Sequence, residues 1–518
     1  MKKQSLFRST SLVAMNRIFS SILGFARDMI WARIFAASAS FDAFIIAFHL
    51  PSFIGYVIAE AGLTQAFVPI LSENQMKKKS HEVKQFISHA SALLMIALIF
   101  TVIFSVIFSP EIVKLFAPGF TELGERQYLT IFLFKIMATG ILFTTLASLC
   151  SAILNTFGNY GISSSTQIIF NLVVILFSTY LASFFNIPIY AVAWGVLLSG
   201  ILQLIFQLPF LHKKNILIAP RLNLKDPDIR KLIKLMLPAL LGVSVMQTGV
   251  LIDFIFSSTL PIGSVTWLYY SSRLMELPIN IIGIGIATVV LPHLSRSHAT
   301  NDQENYNKSL NWAIHFSLFI SIPASAGLFL LAEPIIATLF GHGLFNSHDV
   351  IMTQRSTQAF AIGIAGFMLA KICASGFYAK QNTTLPVKIA IIALLINVIL
   401  NFLFIGKLAH AGLALATSLS CLTNAAILFI ALVKKKYYHP PSSLLNFACK
   451  IITSTFIMTT ILYLISPDSH AWLHTSLQWQ IEHLLFDILT ALFVYFISMS
   501  AFGFRLSMFK GNIEKVAI

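Results

Sequence analysis

SLVAMNRIFSSILGFARDMIWARIF, residues 11–35, decides how this chain folds. It is long enough to cross a hydrocarbon core of about 30 Å as a helix, and apolar enough to be read as a span, yet it carries Arg27 and Asp28 within it. A charge at the bilayer centre costs about 3 kcal/mol even on the lenient insertion scale, so it persists where it faces a protein interior or a water-filled cavity. The stretch therefore predicts a bundle of spans built around something polar. Arg33 near its end adds another charge, and later apolar segments extend the pattern with Asp42 and Glu60, then Lys135, Asp253, Arg273 and Glu276. So many intramembrane charges point to a transporter.

The rest of the chain agrees with a membrane reading. Of 518 residues 57% are hydrophobic and 11% charged, with a mean hydropathy of +0.82, which excludes a soluble globular protein. Fourteen apolar windows are long enough to span, centred near residues 23, 58, 97, 140, 172, 198, 246, 278, 322, 365, 396, 421, 456 and 491. The net charge of +15 does not imply nucleic acid, because the basic residues cluster in short inter-span loops. They are Lys2, Lys3 and Arg8; Lys77, Lys78, Lys79 and Lys84; Lys213, Lys214, Arg221, Lys225, Arg230, Lys231 and Lys234; Lys434, Lys435 and Lys436; and Arg505 and Lys510. Loops after odd-numbered spans hold Lys114 and Arg126, offset by Glu111, Glu122 and Glu125, and then Lys407. Both termini are expected on the cytoplasmic side. The first span lacks the clean apolar core and small-residue site of a cleavable signal, so it is expected to be retained. Cys150, Cys373, Cys421 and Cys449 have no metal-ligand spacing and read as packing residues.

A faint repeat runs through the chain: Pro110 to Phe116 (PEIVKLF) is matched by Pro334 to Phe340 (PIIATLF), an offset of 334 − 110 = 224. Six spans per repeat is an even number, so the copies run in the same direction about an axis along the membrane normal. The expected architecture is an all-α polytopic membrane protein of about 14 helices: an N-terminal six-helix lobe over 1–220, a second over 221–436, and two additional helices over 437–518. The loop between the last two, Ser466 to His483, is rich in Trp and His and suits the outer interface. The longest basic loop, His212 to Lys234, is expected to include a short amphipathic helix on the cytoplasmic leaflet.

Among the intramembrane charges, Gly24, Arg27 and Asp28 share a broad helix face, with Arg17 a turn or two below. Asp28 also fits a purely structural ion pair. A guanidinium that must be buried suits a phosphate oxygen, which it can meet with a planar fork of donors. Arg273 and Glu276 stand three apart, just before the helix-distorting Pro278, and fit either a cavity pair or an intrahelical bridge. His49, His293 and His410 read as satisfied residues near span ends, Lys135 and Lys371 as snorkelling or functional cations, and Gln247, Asn397 and Asn401 as interhelical hydrogen-bonding groups.

These residues fall in a recognisable order. Leu23 to Asp28 (LGFARD), Ala32 to Phe35 (ARIF), Asp42 to Phe44, Ala47 to Pro51 (AFHLP), Ala59-Glu60 and Gln65 to Pro69 (QAFVP) together resemble the amino-terminal signature of the lipid II flippase (MurJ, or MviN) family. Tyr269 to Glu276, Gly376 to Gln381 (GFYAKQ), Thr384 to Lys388 and His410 to Leu413 continue the resemblance over essentially the whole chain. It implies the multidrug/oligosaccharidyl-lipid/polysaccharide exporter fold, with two lobes, a cationic central cavity and a groove, formed by the last two helices, for a polyprenyl tail. It also implies substrate binding by Arg27 and Arg273, and cavity or gate roles for the acids Asp42 and Glu276. Glu60 and Asp28 join these as candidate acid and substrate contact. The chain departs from the family at Ser21, Gly55 and Ser272, where two arginines and an aspartate are usual; by spacing, Arg17 and Asp253 are candidates to replace two of them.

The implied activity is movement of undecaprenyl-pyrophosphate-linked peptidoglycan precursor across a bacterial cytoplasmic membrane, with no bond made or broken, no cofactor, and coupling to a monovalent cation or the membrane potential. The expected partners are that lipid and the bilayer, for a monomer. An exporter of another lipid-linked oligosaccharide or of drugs, and a transport-inactive scaffold, remain open at this point.

Overall fold

A computed structural model describes residues 3–120, 124–279 and 284–505; Lys2, Glu122 and Lys510, which enter the charge pattern above, lie outside them. The described residues are mostly helical, with no strand among them. Contacts divide the chain into two compact units, Met1–Gly263 and Ser264–Ile518.

The first unit contains α1 (Lys3–Phe35), α2 (Ala39–Val57), a π-helical stretch (Ile58–Phe67), α3 (Val68–Lys77), α4 (Ser80–Ile107), α5 (Ser109–Phe116), α6 (Gly124–Thr156), α7 (Tyr160–Ser164), α8 (Thr166–Leu176), α9 (Ile189–Lys213) and α10 (Pro227–Ser258). Ser38 caps α2 by accepting from the Phe41 amide, and Asp42 sits in its first turn, where the helix dipole favours an acid. The π-helical stretch continues α2 into α3, so that Ala39–Lys77 is one 39-residue span. Its extra residue per turn lets Gly62 come up against Met236 of α10.

Of the loop His212 to Lys234, expected to include a short helix, Lys214 to Asp226 contains none and the part from Pro227 onward is helical as the first turns of α10. Pro220 removes a backbone donor, and α4 holds the segment extended: Ser88 donates to the Ala219 carbonyl at 2.6 Å and accepts the Arg221 amide through its own carbonyl. Beyond it, His89 pairs with Asp226 at 2.7 Å, Lys78 with Asp228 at 2.6 Å and Lys231 with Glu73 at 2.7 Å. Hydrogen bonding to Asp228 holds the Lys78 ammonium above its usual pKa. The strap thus ties the start of α10 to the ends of α3 and α4.

The second unit contains α11 (Ser264–Pro278), α12 (Ile284–Ala299), α13 (Gln303–Leu330), α14 (Ala332–Phe340), α15 (Ser347–Ala361), α16 (Ile364–Ala379), α17 (Thr384–Lys434), α18 (Ser443–Ile465), α19 (Ser469–His474) and α20 (Leu477–Ala501). The internal repeat is visible as matched lengths. A 28-residue helix, a short helix and a 33-residue span follow one another at α4, α5 and α6, and again at α13, α14 and Ser347–Ala379.

Among the described residues ten helices qualify as spans by length and apolarity, or eleven with the bent pair Pro227–Ser244 and Gln247–Ser258. The fourteen expected windows differ from this count for specific reasons. The charges of α1 lower its apolarity, residues 280–283 in the window near 278 lie outside the described residues, and the 51-residue α17, counted once, is two helices joined at Ala409, whose φ of 48° and ψ of −129° are not helical.

Candidate functional site

In the first unit Arg27 occupies a closed niche between α1 and α8. Its Nε and Nη2 both donate to Asp28 Oδ1, at 3.0 and 2.6 Å, and Nη1 donates to Asn171 Oδ1 at 3.2 Å. The guanidinium lies 4.4 Å from the Trp31 ring centroid and 5.5 Å from that of Phe170. Asn171 is fixed in turn by donating to the Ser20 carbonyl at 3.1 Å, and Trp31 by donating to Ser178 at 2.9 Å. Arg27 is 6% exposed and Asp28 fully buried. An unpaired charge there would cost several kcal/mol, and the carboxylate, the amide and two ring faces together offset that cost.

A second buried pair joins α2, α6 and the turn that closes the unit. Asp42, with no exposure, accepts from Arg126 Nη2 at 2.9 Å and from the Gly263 amide at 2.8 Å. The Arg126 guanidinium stacks on Phe120 at 4.0 Å. Nearby, the Gly119 amide donates to Ser258 at 3.2 Å. Gly119 lies so close to the Ser258–Thr259 backbone that a Cβ would collide with it. Sequence reading placed Arg126 in a loop and gave it no role. The signal available was the isolated acid Asp42, which needed a partner, and the arginine opening the next acid-free apolar run.

Glu60 lies on the π-helical stretch, half-buried, and accepts from Gln65 at 3.4 Å. Asp253 is half-buried on α10. Arg17 and Ser21 are both exposed, and Ser21 donates to the Arg17 carbonyl at 2.9 Å. Arg33 is exposed at the end of α1 and Lys135 on α6.

In the second unit Arg273 Nη1 donates to Glu276 Oε2 at 3.1 Å, and both side chains are part-exposed. They ride on α11, which is held from below: Ser271 donates to the Thr353 carbonyl at 2.9 Å, and Trp267 to Asp349 at 3.0 Å. Lys371 on α16 lies within electrostatic reach of Glu276. Asn397 bonds Thr417 at 3.1 Å across the two halves of α17, and Asn401 bonds Asn397. His410 is satisfied by donating to the Met352 carbonyl at 3.0 Å. Among the described residues no group of three or more His, Cys, Asp and Glu side chains is arranged to hold a metal. An open cleft of about 640 Å³ lies between α13, the α15–α16 junction and α18, lined by Ile322, Ala326, Phe329, Ile362, Thr459 and Tyr463 among others.

The model of the family described as lipid II flippase MurJ matches residues 31–482, the stretch that carries Trp31, Asp42, Glu60, Arg126, Asn171 and Arg273; Arg27 and Asp28 lie just before it. The chain belongs to the lipid II flippase family. A relative from Buchnera aphidicola of the pea aphid, Acyrthosiphon pisum, called a probable lipid II flippase MurJ, is 34% identical over 98% of this chain and 99% of its own. One of the same description from Vibrio cholerae is 36% identical over 90% of both chains. A solved lipid II flippase MurJ in an inward closed conformation superposes with a TM-score of 0.80 at 28% identity, covering 95% of this chain and 98% of that one.

Proposed function

We propose that this chain flips the lipid-linked peptidoglycan precursor from the inner to the outer leaflet of the bacterial cytoplasmic membrane, as a transporter that makes and breaks no bond. The observation that carries the reading is Arg27: a membrane-embedded guanidinium held by Asp28 and Asn171 and oriented between two rings, on a chain of this family. An Arg fork matches two oxygens of a diphosphate, and such charge-assisted bonds are about twice as strong as neutral ones. On loading, Arg27 shares or trades Asp28 for phosphate oxygens; Arg273, on α11 of the second unit, is a separate candidate cation for the substrate. The cleft between α13, the α15–α16 junction and α18 seats the polyprenyl tail.

The chain works as a monomer of fourteen spans, with both termini and the Lys78 loop cytoplasmic and the Ser466 to His483 loop outside. Alternating exposure of the head group to the two sides moves the lipid. Because the membrane potential is worth about 2.3 kcal/mol per charge per 100 mV, a net-charged loaded site can be driven by it without a cofactor.

Expression in a bacterium depleted of its own flippase tests this. Growth and outward appearance of the precursor are expected. Stable insertion without growth or flipping would reject the reading and favour a scaffold that has lost transport along with the arginines absent at positions 21 and 55.

A further inference from the structure

Pro323 stands inside α13, so the carbonyl four residues earlier, that of Phe319, has no N–H to accept within its helix. In a bilayer no water satisfies such a group, and a neighbouring helix must. Tyr495 of α20 does so: its hydroxyl donates to the Phe319 carbonyl at 2.8 Å, fully inside the protein. Around this bond Phe319 stacks on Phe504 at 4.8 Å and packs on Phe496, while His315 meets Phe447 of α18 at 4.6 Å.

The same helix holds the connection leading to α18. Gln303, Asn307 and Asn311 recur every four residues and so share one face of α13. Gln303 donates to the Tyr437 carbonyl at 2.9 Å, Asn307 accepts the His439 amide at 3.3 Å, and Asn311 accepts the Tyr438 hydroxyl at 2.9 Å. Lys380 braces the ladder from the loop after α16, donating to Gln303 at 3.0 Å with its ammonium over the rings of Tyr306 and Tyr437. At the far end of α13, Glu333 opens α14 and accepts from Ser469 of α19. The appended helices are therefore fastened to α13 and its continuation at the start, the middle and the end.

We propose that α18 and α20 form one rigid body with α13 throughout the transport cycle, so that the cleft between α13 and α18 keeps its shape while the head group crosses. The bonds are spread along the whole helix, and a hinge at any one level leaves the other two in place. The tail then stays seated on the second unit from loading to release, and the work of each cycle falls on other helix pairs. The part concerning the tail rests on the flippase reading above; the rigidity does not.

Two staples test it, in full-length protein with Cys150, Cys373, Cys421 and Cys449 replaced. One pairs Glu333→Cys with Ser469→Cys, the other His315→Cys with Phe447→Cys. Each is oxidised in proteoliposomes, its yield read by loss of maleimide labelling, and flipping of a fluorescent polyprenyl-diphosphate disaccharide-pentapeptide measured before and after. Near-complete cross-linking with no loss of flipping is expected. Poor cross-linking, or flipping lost on oxidation and regained on reduction, would overturn the proposal. If the reduced protein does not flip the probe, the flippase reading fails, and the cross-linking yield still decides whether the helices are locked.

Discussion

Arg27 and Asn171 are 144 positions apart in the chain, and their side chains meet at 3.2 Å. With Asp28 they make a cation site closed on three sides inside the first unit. Arg27→Ala is expected to abolish complementation. It also strands the buried Asp28, at a cost of about 3–5 kcal/mol, so protein level has to be controlled. Arg27→Ala with Asp28→Asn restores the level, read by immunoblot of membranes, and leaves flipping absent. Recovery of flipping in that double variant would remove Arg27 from the substrate site. Arg27→Lys is expected to keep partial function at best, because a point charge cannot make the forked contact.

Asp42 and Arg126 depend on each other for burial. Arg126→Ala and Asp42→Ala should each lower the stability of purified protein by about 3–5 kcal/mol, seen as a large drop in Tm. Asp42→Asn keeps an oxygen for the Gly263 amide and should cost less. Equal Tm values for Asp42→Ala and wild type would show that the pair contributes nothing.

The bond from Tyr495 to the Phe319 carbonyl can be measured by a double-mutant cycle. Tyr495→Phe should destabilise by about 0.6–1.7 kcal/mol, the range of membrane interhelical hydrogen bonds. Pro323→Ala supplies an N–H to the same carbonyl, so Tyr495→Phe in that background should cost clearly less. Additive effects would mean that the proline and the tyrosine are unrelated.

Orientation is open to a direct measurement. Single cysteines at Lys78 and at His470, in a background without the native four, should label with an impermeant thiol reagent only from the cytoplasmic side and only from outside, respectively. Outside labelling at position 78 would invert the proposed topology.

Arg17 and Ser21 lie one turn apart on α1, about 5.4 Å along the axis and nearly in line. If Arg17 serves in place of the arginine absent at position 21, Arg17→Ala should abolish complementation and Ser21→Arg should restore it. Normal growth of the Arg17→Ala strain would leave Arg17 as a surface anchor of the first helix.

The spans were legible because hydrocarbon thickness sets their length, and the candidate cations because charge in a span is costly and therefore rare. What escaped was pairing. Asn171 reads as one more polar residue in an apolar run, and nothing local ties it to Arg27. Arg126 was read by its place in a loop, whereas long-range packing buries it against Asp42. Within the loop His212 to Lys234 the residues gave no sign of where a helix begins; Pro220 and the bonds to Ser88 hold the strap after α9 extended, and helix starts only at Pro227. Positive φ at an alanine, as in α17, carries no sequence signal at all, since glycine is the residue expected there.

That alanine determines what the protein shows to its surroundings. Because α17 reverses at Ala409 without a loop, with Gly412 packed onto the Phe404 backbone, the tip between its two halves is tightly packed backbone and not a slack segment, although Gly406, Lys407 and Leu408 are exposed there. Proteases, antibodies and inserted tags need slack backbone, and there is none. An epitope or fluorophore placed at this reversal would break the protein, whereas the segment around Ser476, with exposed residues on both sides, can take one.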